Sequence, residues 1–161
     1  FYIQMISEYS HKLLSGKPCL IYIDFIPVMD LFCRYLEIVK CTAHINSSYR
    51  ANANNIKGAV VTPARRSNHM IGCGIDANLI DSKGKMWSSK EMEIFCPESP
   101  AYNPKEIGEI MVFLNLIRRS KTLRYGGDFH TPDPIHYDNG INIRNPKRWD
   151  EIYKEINTLI S

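Results

Sequence analysis

Apolar side chains recur along the first half of the chain with spacings that alternate between helical and extended patterns. The first fourteen residues carry apolar side chains at a loose helical spacing that ends at residues 15–16, so we predict a helix over Phe1–Leu14. Pro27–Val39 places its large apolar residues near one face and predicts a second helix. Cys41–Ser48 alternates as a strand does, and the polar, Gly- and Pro-containing stretch Ala51–Arg66 indicates a loop.

The second half mixes strands with two further helices. Turn residues at 81–84 follow a predicted strand over Cys73–Ile80 and precede a return strand beginning at Lys85–Trp87. A helix is predicted to begin at Asn103–Glu106, to continue through Ile117 and to be broken at Gly126-Gly127. Ile135–Tyr137 indicates a short strand and Pro146–Ile160 a last helix. This order of elements is typical of an α+β fold.

Composition narrows the class of protein. The 161 residues carry 20 Lys and Arg against 17 Asp and Glu, a formal net charge of +3. That mildly basic balance, with a pI of about 8.6, does not indicate a nucleic-acid-binding domain. No apolar run approaches the length of a membrane-spanning helix, so we expect no membrane partner, and we expect a monomer.

The chain begins without Met and shows no signal segment, so we expect it to belong to a longer protein. Its localisation stays open, with secretion, delivery by a phage and export within a larger protein as the expected settings. Five cysteines without a CxxC pair rule out a zinc ribbon and predict free, buried thiols typical of a reducing compartment. A single bridge among Cys19, Cys33 and Cys41 stays open.

Polar residues that carry chemistry cluster in two segments, 67–76 and 126–137. His69, Asp76 and His136 form a set of two imidazoles and one carboxylate, which suits a catalytic zinc ion with a fourth position left for water. A turn at Gly72 would bring Asp76 back beside His69, and His136 would join from a neighbouring strand. Asp133, three residues before His136, is a candidate general base acting on the attacking water.

The pattern Ser-x-His-x-x-Gly-x-(small)-x-Asp over residues 67–76, followed by Asp-x-x-His at 133–136 after a Gly-Gly-Asp segment, resembles the zinc peptidases of the D-Ala-D-Ala carboxypeptidase family. It is most similar to the branch of L-alanyl-D-glutamate endopeptidases found in bacteriophage endolysins. The wider group includes VanY-type carboxypeptidases, lysostaphin-like enzymes and the hedgehog signalling domain. The resemblance covers roughly residues 45–138.

The resemblance implies roles for individual residues. It makes His69, Asp76 and His136 the zinc ligands and Asp133 the catalytic base, with Asp at this place favouring the phage endopeptidase branch. Arg50, within Ser48-Tyr49-Arg50, is expected to hold a substrate carboxylate or to stabilise the oxyanion.

The sequence departs from the family pattern at Gly74, where Ala is usual, at Phe129, where Trp is usual, and at the basic lead-in Arg65-Arg66. Other residues near the motifs have more ordinary expected roles. Asp128 is open between an acceptor for a ligand imidazole and a solvated carboxylate. The remaining expectations are an exposed loop His130, a locally bonding Ser67, a buried packing Cys73, solvated charges at Arg118-Arg119, and glycines at 72, 126 and 127 required by the backbone.

Together these observations predict one domain over residues 1–161, with a central antiparallel sheet that carries the zinc site and is flanked by helices. Its three segments are a helical N-terminal segment (1–44), a catalytic core (45–138) and a C-terminal helix (139–161). The predicted activity is zinc-dependent hydrolysis of peptidoglycan stem peptides at L-Ala–D-Glu or D-Ala–D-Ala. Two alternatives are an effector or toxin module that cleaves a peptide outside the cell wall, and a zinc-stabilised binding domain without catalysis.

Overall fold

The computed structural model describes residues 5–51 and 66–160, and its N-terminal region begins with strands. Strand β1 (Ile6–Tyr9) pairs antiparallel with β3 (Cys19–Tyr22), while β2 (Leu14–Gly16) pairs with a different sheet. The helix predicted over Phe1–Leu14 is therefore wrong over its described residues, and the N-terminal segment is helical only in its second half. The loose apolar spacing was overridden by tertiary pairing with β3, a mostly buried apolar run that the sequence pattern did not single out.

Four α-helices follow among the described residues. Helix α1 (Ile26–Val39) has Pro27 in its first turn, and α4 (Pro146–Ile160) has the predicted bounds. Helix α2 (Glu109–Arg119) begins later than predicted, because turns occupy the residues before it and Gly108 has φ +126°. A one-turn helix, α3 (Ile141–Arg144), was not predicted.

In the part of the chain that the structure describes, the main sheet contains five strands in the order β2-β4-β5-β7-β6. Its remaining members are β4 (Thr42–Ser47), β5 (Gly74–Ile80), β6 (Arg124–Tyr125) and β7 (His136–Asp138). Every pair is antiparallel except β2 with β4 at one edge. The predicted α+β fold, with a central antiparallel sheet and flanking helices, is confirmed, and the parallel edge pair of β2 with β4 is an addition to it. The predicted return strand after residue 84 is reduced to a single bridge between Ile80 and Met86.

One hydrophobic cluster joins the sheet to α1, α2 and α4. Phe32 of α1 packs edge-on against Phe113 of α2 at 5.3 Å and against Tyr137 of β7 at 5.1 Å between ring centroids. All five cysteines are free and buried, as predicted. This packing fixes the position of β7, whose first residue is one of the candidate metal ligands.

Some of the sequence predictions concern residues outside the described ranges. Nearly all of the loop predicted over Ala51–Arg66 lies outside the described residues, as does Phe1.

Within the regions of the chain that the structure describes, no helix combines the length and apolar character needed to cross a membrane. The division of the chain into an N-terminal segment, a catalytic core and a C-terminal helix stays a prediction. The helical character predicted for the first fourteen residues is the exception, because their described part forms strands.

Candidate metal centre

Two neighbouring strands and one tight turn bring the candidate ligands together. Asp76 on β5 and His136 on β7 lie directly opposite each other in the antiparallel ladder. His69 lies in a single 3-10 turn, Asn68–Ile71, that immediately precedes β5. Gly72 ends this turn with φ +69°, which only glycine adopts without strain, and so turns the chain into β5. The predicted return of Asp76 beside His69 through a turn at Gly72 is what the structure shows.

The three ligand atoms form a nearly equilateral triangle. His69 Nε2 lies 3.2 Å from Asp76 Oδ1 and 3.2 Å from His136 Nδ1, and the third edge, from His136 Nδ1 to Asp76 Oδ1, is 3.3 Å. An ion with tetrahedral bonds of about 2.0 Å separates its ligands by about 3.3 Å. Among the described residues, His69, Asp76 and His136 are thus a group that could hold a metal ion, and their role as zinc ligands stays a prediction.

The tautomer of His69 is set by a backbone carbonyl. Its Nδ1 lies 2.7 Å from the carbonyl oxygen of Ser48, to which it donates its proton. Nε2 then presents its lone pair to the triangle. The Oγ of Ser67 accepts from the His69 backbone N–H at 3.3 Å, which agrees with the local bonding role expected for Ser67. The ring is 3% exposed, so its orientation is fixed before any ion binds.

Asp138 fixes the tautomer of His136. Nε2 of the imidazole lies 2.6 Å from Asp138 Oδ2 and donates to it, which leaves Nδ1 for the triangle. Arg124 donates to both oxygens of the same carboxylate at 2.9 Å, and the Gly140 backbone N–H adds a bond of 2.8 Å. Sequence reasoning missed Asp138. The available signal was its position two residues after His136 on a strand, which places both side chains on one face.

These contacts set the protonation of the site. Burial lowers the pKa of His136, but its hydrogen bonds with Asp138 and Asp76 outweigh that effect and raise it to about 9. Burial raises the pKa of Asp76, yet its close contacts with the rings of His136 and His69 hold that pKa well below its ordinary value. The same balance, with His136 and Arg124 as partners, keeps the pKa of Asp138 low. Both carboxylates are therefore ionised at neutral pH.

Asp133 lies beside the triangle without belonging to it. It lines an open pocket of about 220 Å³ with His69, His136 and Arg50, which we call the metal pocket. Loss of solvation raises the pKa of Asp133, and the negative charge of Asp76 raises it further, while His136, His69 and Arg50 lower it. A carboxylate with a raised pKa next to a metal site can accept and return a proton.

Gly126 lies so close to Asp133 and His136 that a side chain at this position would overlap them. A methyl group on Gly126 would lie 2.5 Å from the Asp133 carbonyl oxygen and 2.8 Å from His136 Cβ. The Asp133 backbone N–H also donates to the Gly126 carbonyl at 2.9 Å. Close approach at Gly126 thus brings Asp133 and His136 to the same pocket, as expected for this glycine.

Arg50 also lines the metal pocket. Its backbone N–H donates to the His69 carbonyl at 3.0 Å, and its side chain is exposed. Within the described residues, the Arg50 guanidinium forms neither an ion pair nor a hydrogen bond. It therefore offers a free cation beside the triangle, and its catalytic role stays a prediction.

Other residues near the motifs have structural partners. Asp128 forms two short hydrogen bonds with Arg118, so the alternative in which it orients a ligand imidazole is wrong; Asp138 fills that place. Arg66 forms a two-bond pair with Asp150 of α4, at 2.8 Å each, and Arg65 lies outside the described residues. His130 is exposed and Cys73 is buried, both as expected.

Comparison with known proteins gives little beyond this geometry. No protein-family model and no curated protein sequence matches the chain. Among solved structures, the chain is similar to the crystal structure of the Serratia marcescens L-Ala D-Glu endopeptidase ChiX, at 16% sequence identity and a TM-score of 0.44. The alignment covers 75% of this chain and 81% of that chain. At this level the likeness does not assign a role to any residue.

Proposed function

We propose that the chain is a zinc-dependent peptidase that hydrolyses peptidoglycan stem peptides. The observation that carries the proposal is the triangle of His69, Asp76 and His136, in which partners outside the triangle preset both imidazole tautomers. Two imidazole nitrogens and one carboxylate oxygen form a catalytic type of zinc site, because three protein ligands leave one position open. The donor set and its spacing both fit zinc.

A zinc ion held there would polarise the scissile carbonyl and make a water molecule more acidic. Asp133 accepts the proton of the attacking water at its carboxylate and returns it to the departing amine. Its raised pKa supports this role, because a carboxylate that binds a proton more readily is a better base and remains a usable acid.

Arg50 stabilises the negative charge that develops on the carbonyl oxygen, or binds a substrate carboxylate. Its exposed guanidinium borders the metal pocket and forms no ion pair among the described residues. A permanently charged, planar donor suits either task. His69 and His136 hold their geometry throughout, because each is buried and anchored at its outer nitrogen.

The substrate class follows from the motif resemblance. Asp at position 133 favours the endopeptidase branch, so we propose cleavage between L-Ala and D-Glu, with D-Ala–D-Ala carboxypeptidase activity as the second candidate. A non-catalytic binding domain is disfavoured, because such a domain has no use for a free carboxylate beside the metal pocket. A peptide outside the cell wall stays as the alternative target of the same chemistry.

The test is incubation of the zinc-loaded chain with purified peptidoglycan and muropeptides, followed by mass spectrometry of the products. A new D-Glu amino terminus, lost in Asp133→Ala and retained in Asp128→Asn, would establish the endopeptidase. Asp128 is the matched control because its carboxylate is bound to Arg118. Release of single D-Ala residues would establish the carboxypeptidase instead. Bound zinc without cleavage of any wall fragment would overturn the cell-wall assignment.

A further inference from the structure

A second pocket adjoins the metal pocket and shares Arg50 with it. It measures about 430 Å³ and is lined by Lys17, Pro18, Leu20 and residues 46–50; we call it the flanking pocket. Ser48 connects the two pockets directly, because its carbonyl oxygen accepts from His69 Nδ1. Because Arg50 lines both pockets, a peptide bound beside it in the metal pocket lies next to the flanking pocket. The volume is within the range of small-ligand sites.

The charge of the flanking pocket has one sign. Lys17 and Arg50 line it, and none of its described lining residues is Asp or Glu. Neither cation forms an ion pair with any other residue in the described ranges, 5–51 and 66–160. Lys17 also borders a smaller pocket of about 190 Å³ to which Glu8 belongs, without pairing with Glu8. Other cations in this chain do have acidic partners, for example Arg66, Lys85 and Arg118.

The backbone holds Lys17 in place beside the pocket. Its N–H donates to the Ile45 carbonyl at 2.9 Å, directly after the parallel pairing of β2 with β4. The neighbouring Leu20 is also tied to the end of β4, because the Tyr49 backbone N–H donates to its carbonyl at 2.9 Å. Lys17 therefore belongs to a segment whose backbone is hydrogen-bonded to β4, and Arg50 follows β4 in the chain.

We propose that the flanking pocket binds a carboxylate of the substrate adjacent to the scissile bond, and that Lys17 determines this specificity. The inference deepens the proposed peptidase function and rests on it. Two cations that form no ion pair among the described residues supply the charge, while Pro18 and Leu20 supply an apolar wall for the methylene groups that carry the carboxylate. The substrate class is an acidic peptide, whose carboxylate belongs either to a residue within the chain or to its C-terminus.

The test measures equilibrium binding by calorimetry to the zinc-loaded Asp133→Asn chain, in which turnover is blocked. The probe is the tripeptide L-Ala-γ-D-Glu-L-Lys, together with two forms in which either the D-Glu α-carboxylate or the C-terminal carboxylate is a carboxamide. Lys17→Gln is compared with Lys12→Gln, which removes an exposed charge that lines neither pocket. Circular dichroism and zinc affinity verify that both variants fold.

We expect Lys17→Gln to weaken binding of the acidic tripeptide about fivefold, the upper range for one exposed charge pair. Lys12→Gln should leave binding unchanged. The carboxamide form that is insensitive to Lys17→Gln identifies which carboxylate enters the pocket. Equal weakening for all three peptides, no weakening, or no binding of any of them would overturn the inference.

Hydrolysis by the chain with Asp133 intact separates this inference from the proposed function. Cleavage with an unchanged KM in Lys17→Gln would retain the peptidase and exclude the Lys17 site. Binding that depends on Lys17 but is never followed by cleavage would retain the carboxylate site and overturn the peptidase. A raised KM with unchanged kcat in Lys17→Gln supports both.

Discussion

Asp138 accepts a hydrogen bond of 2.6 Å from the outer nitrogen of His136, and this contact decides which nitrogen of the ring faces Asp76. The Asp138 carboxylate is itself clamped by Arg124 through two bonds of 2.9 Å and is 1% exposed. Arg124, Asp138 and His136 therefore form a row of hydrogen-bonded side chains that turns Nδ1 of the imidazole toward the triangle. The fixed geometry around His136 has measurable consequences for metal affinity, for its pH dependence and for stability.

Replacing Asp138 by Asn should weaken metal binding by about 10- to 100-fold, because the ring of His136 loses a charged acceptor that fixes its tautomer. The measurement is competition with a chromophoric chelator. Asp128→Asn is the matched control, since it removes a carboxylate bound to Arg118 at the surface. Equal effects of the two substitutions would contradict the role given to Asp138.

Metal binding should depend on pH through His136. Its raised pKa of about 9 means that the metal-free ring carries a proton at pH 7, and an ion must displace that proton. Asp76 stays ionised over the same range because its pKa is lowered. The apparent affinity should thus fall about tenfold for each pH unit below 9.

Calorimetry in two buffers of different ionisation enthalpy measures this coupling. We expect release of about one proton per ion bound at pH 7. In Asp138→Asn the pKa of His136 should drop, and the loss of affinity should begin at a lower pH. A binding constant that does not change between pH 9 and pH 7 would refute the coupling.

Replacing Arg50 by Ala should lower kcat by about 10²- to 10³-fold, the usual loss when one donor to a developing negative charge is removed. Arg50→Lys should recover only a fraction of this loss, because the ammonium keeps the charge without the planar fork. Metal affinity should be unchanged in both variants, since the guanidinium contacts none of the ligand atoms. Loss of metal affinity in Arg50→Ala would assign the residue a structural role instead.

Gly126→Ala should destabilise the fold by about 1–3 kcal/mol, because the new methyl group overlaps the Asp133 carbonyl and His136 Cβ. Gly74→Ala is the comparison, because Gly74 also approaches His136 closely. Its methyl group would lie 3.2 Å from His136 Cε1, so the cost should be smaller, about 1 kcal/mol or less. Urea unfolding of the metal-free variants checks this order, and the reverse order would show that the ring is held differently.

The sequence predicted those regions of the fold in which one face alone is buried. Helices α1 and α4 and strand β4 show regular apolar periods, and each was found close to its predicted bounds. The helix predicted before residue 15 is wrong, because the few apolar side chains of this segment fit a loose helical spacing as well as a strand. Only pairing with Cys19–Tyr22 decides between the two, and that contact is not a local property.

The residues of the candidate site also divide into those that local motifs predict and those whose place depends on the fold. His69, Asp76, His136 and Asp133 were predicted because they belong to short motifs with fixed spacing, and the structure brings them to one place. Asp138 and Lys17 were missed for different reasons. Asp138 acts through a neighbour, so its value depends on a ring orientation, and Lys17 reaches the site through the parallel pairing of β2 with β4. The place of Lys17 depends on the fold alone, whereas Asp138 had one local signal, its position two residues after His136 on the same strand.

The pairing of β5 with β7 comprises three residue pairs, Gly74 with Asp138, Ile75 with Tyr137, and Asp76 with His136. A slip by one residue would move Tyr137 from the core to the pocket and would bury His136 among apolar side chains. Three residue pairs alone do little to select the correct register of β5 and β7. An ion bound by both strands would stabilise only correctly paired molecules during folding, so metal supply would influence the yield of native protein as well as its activity.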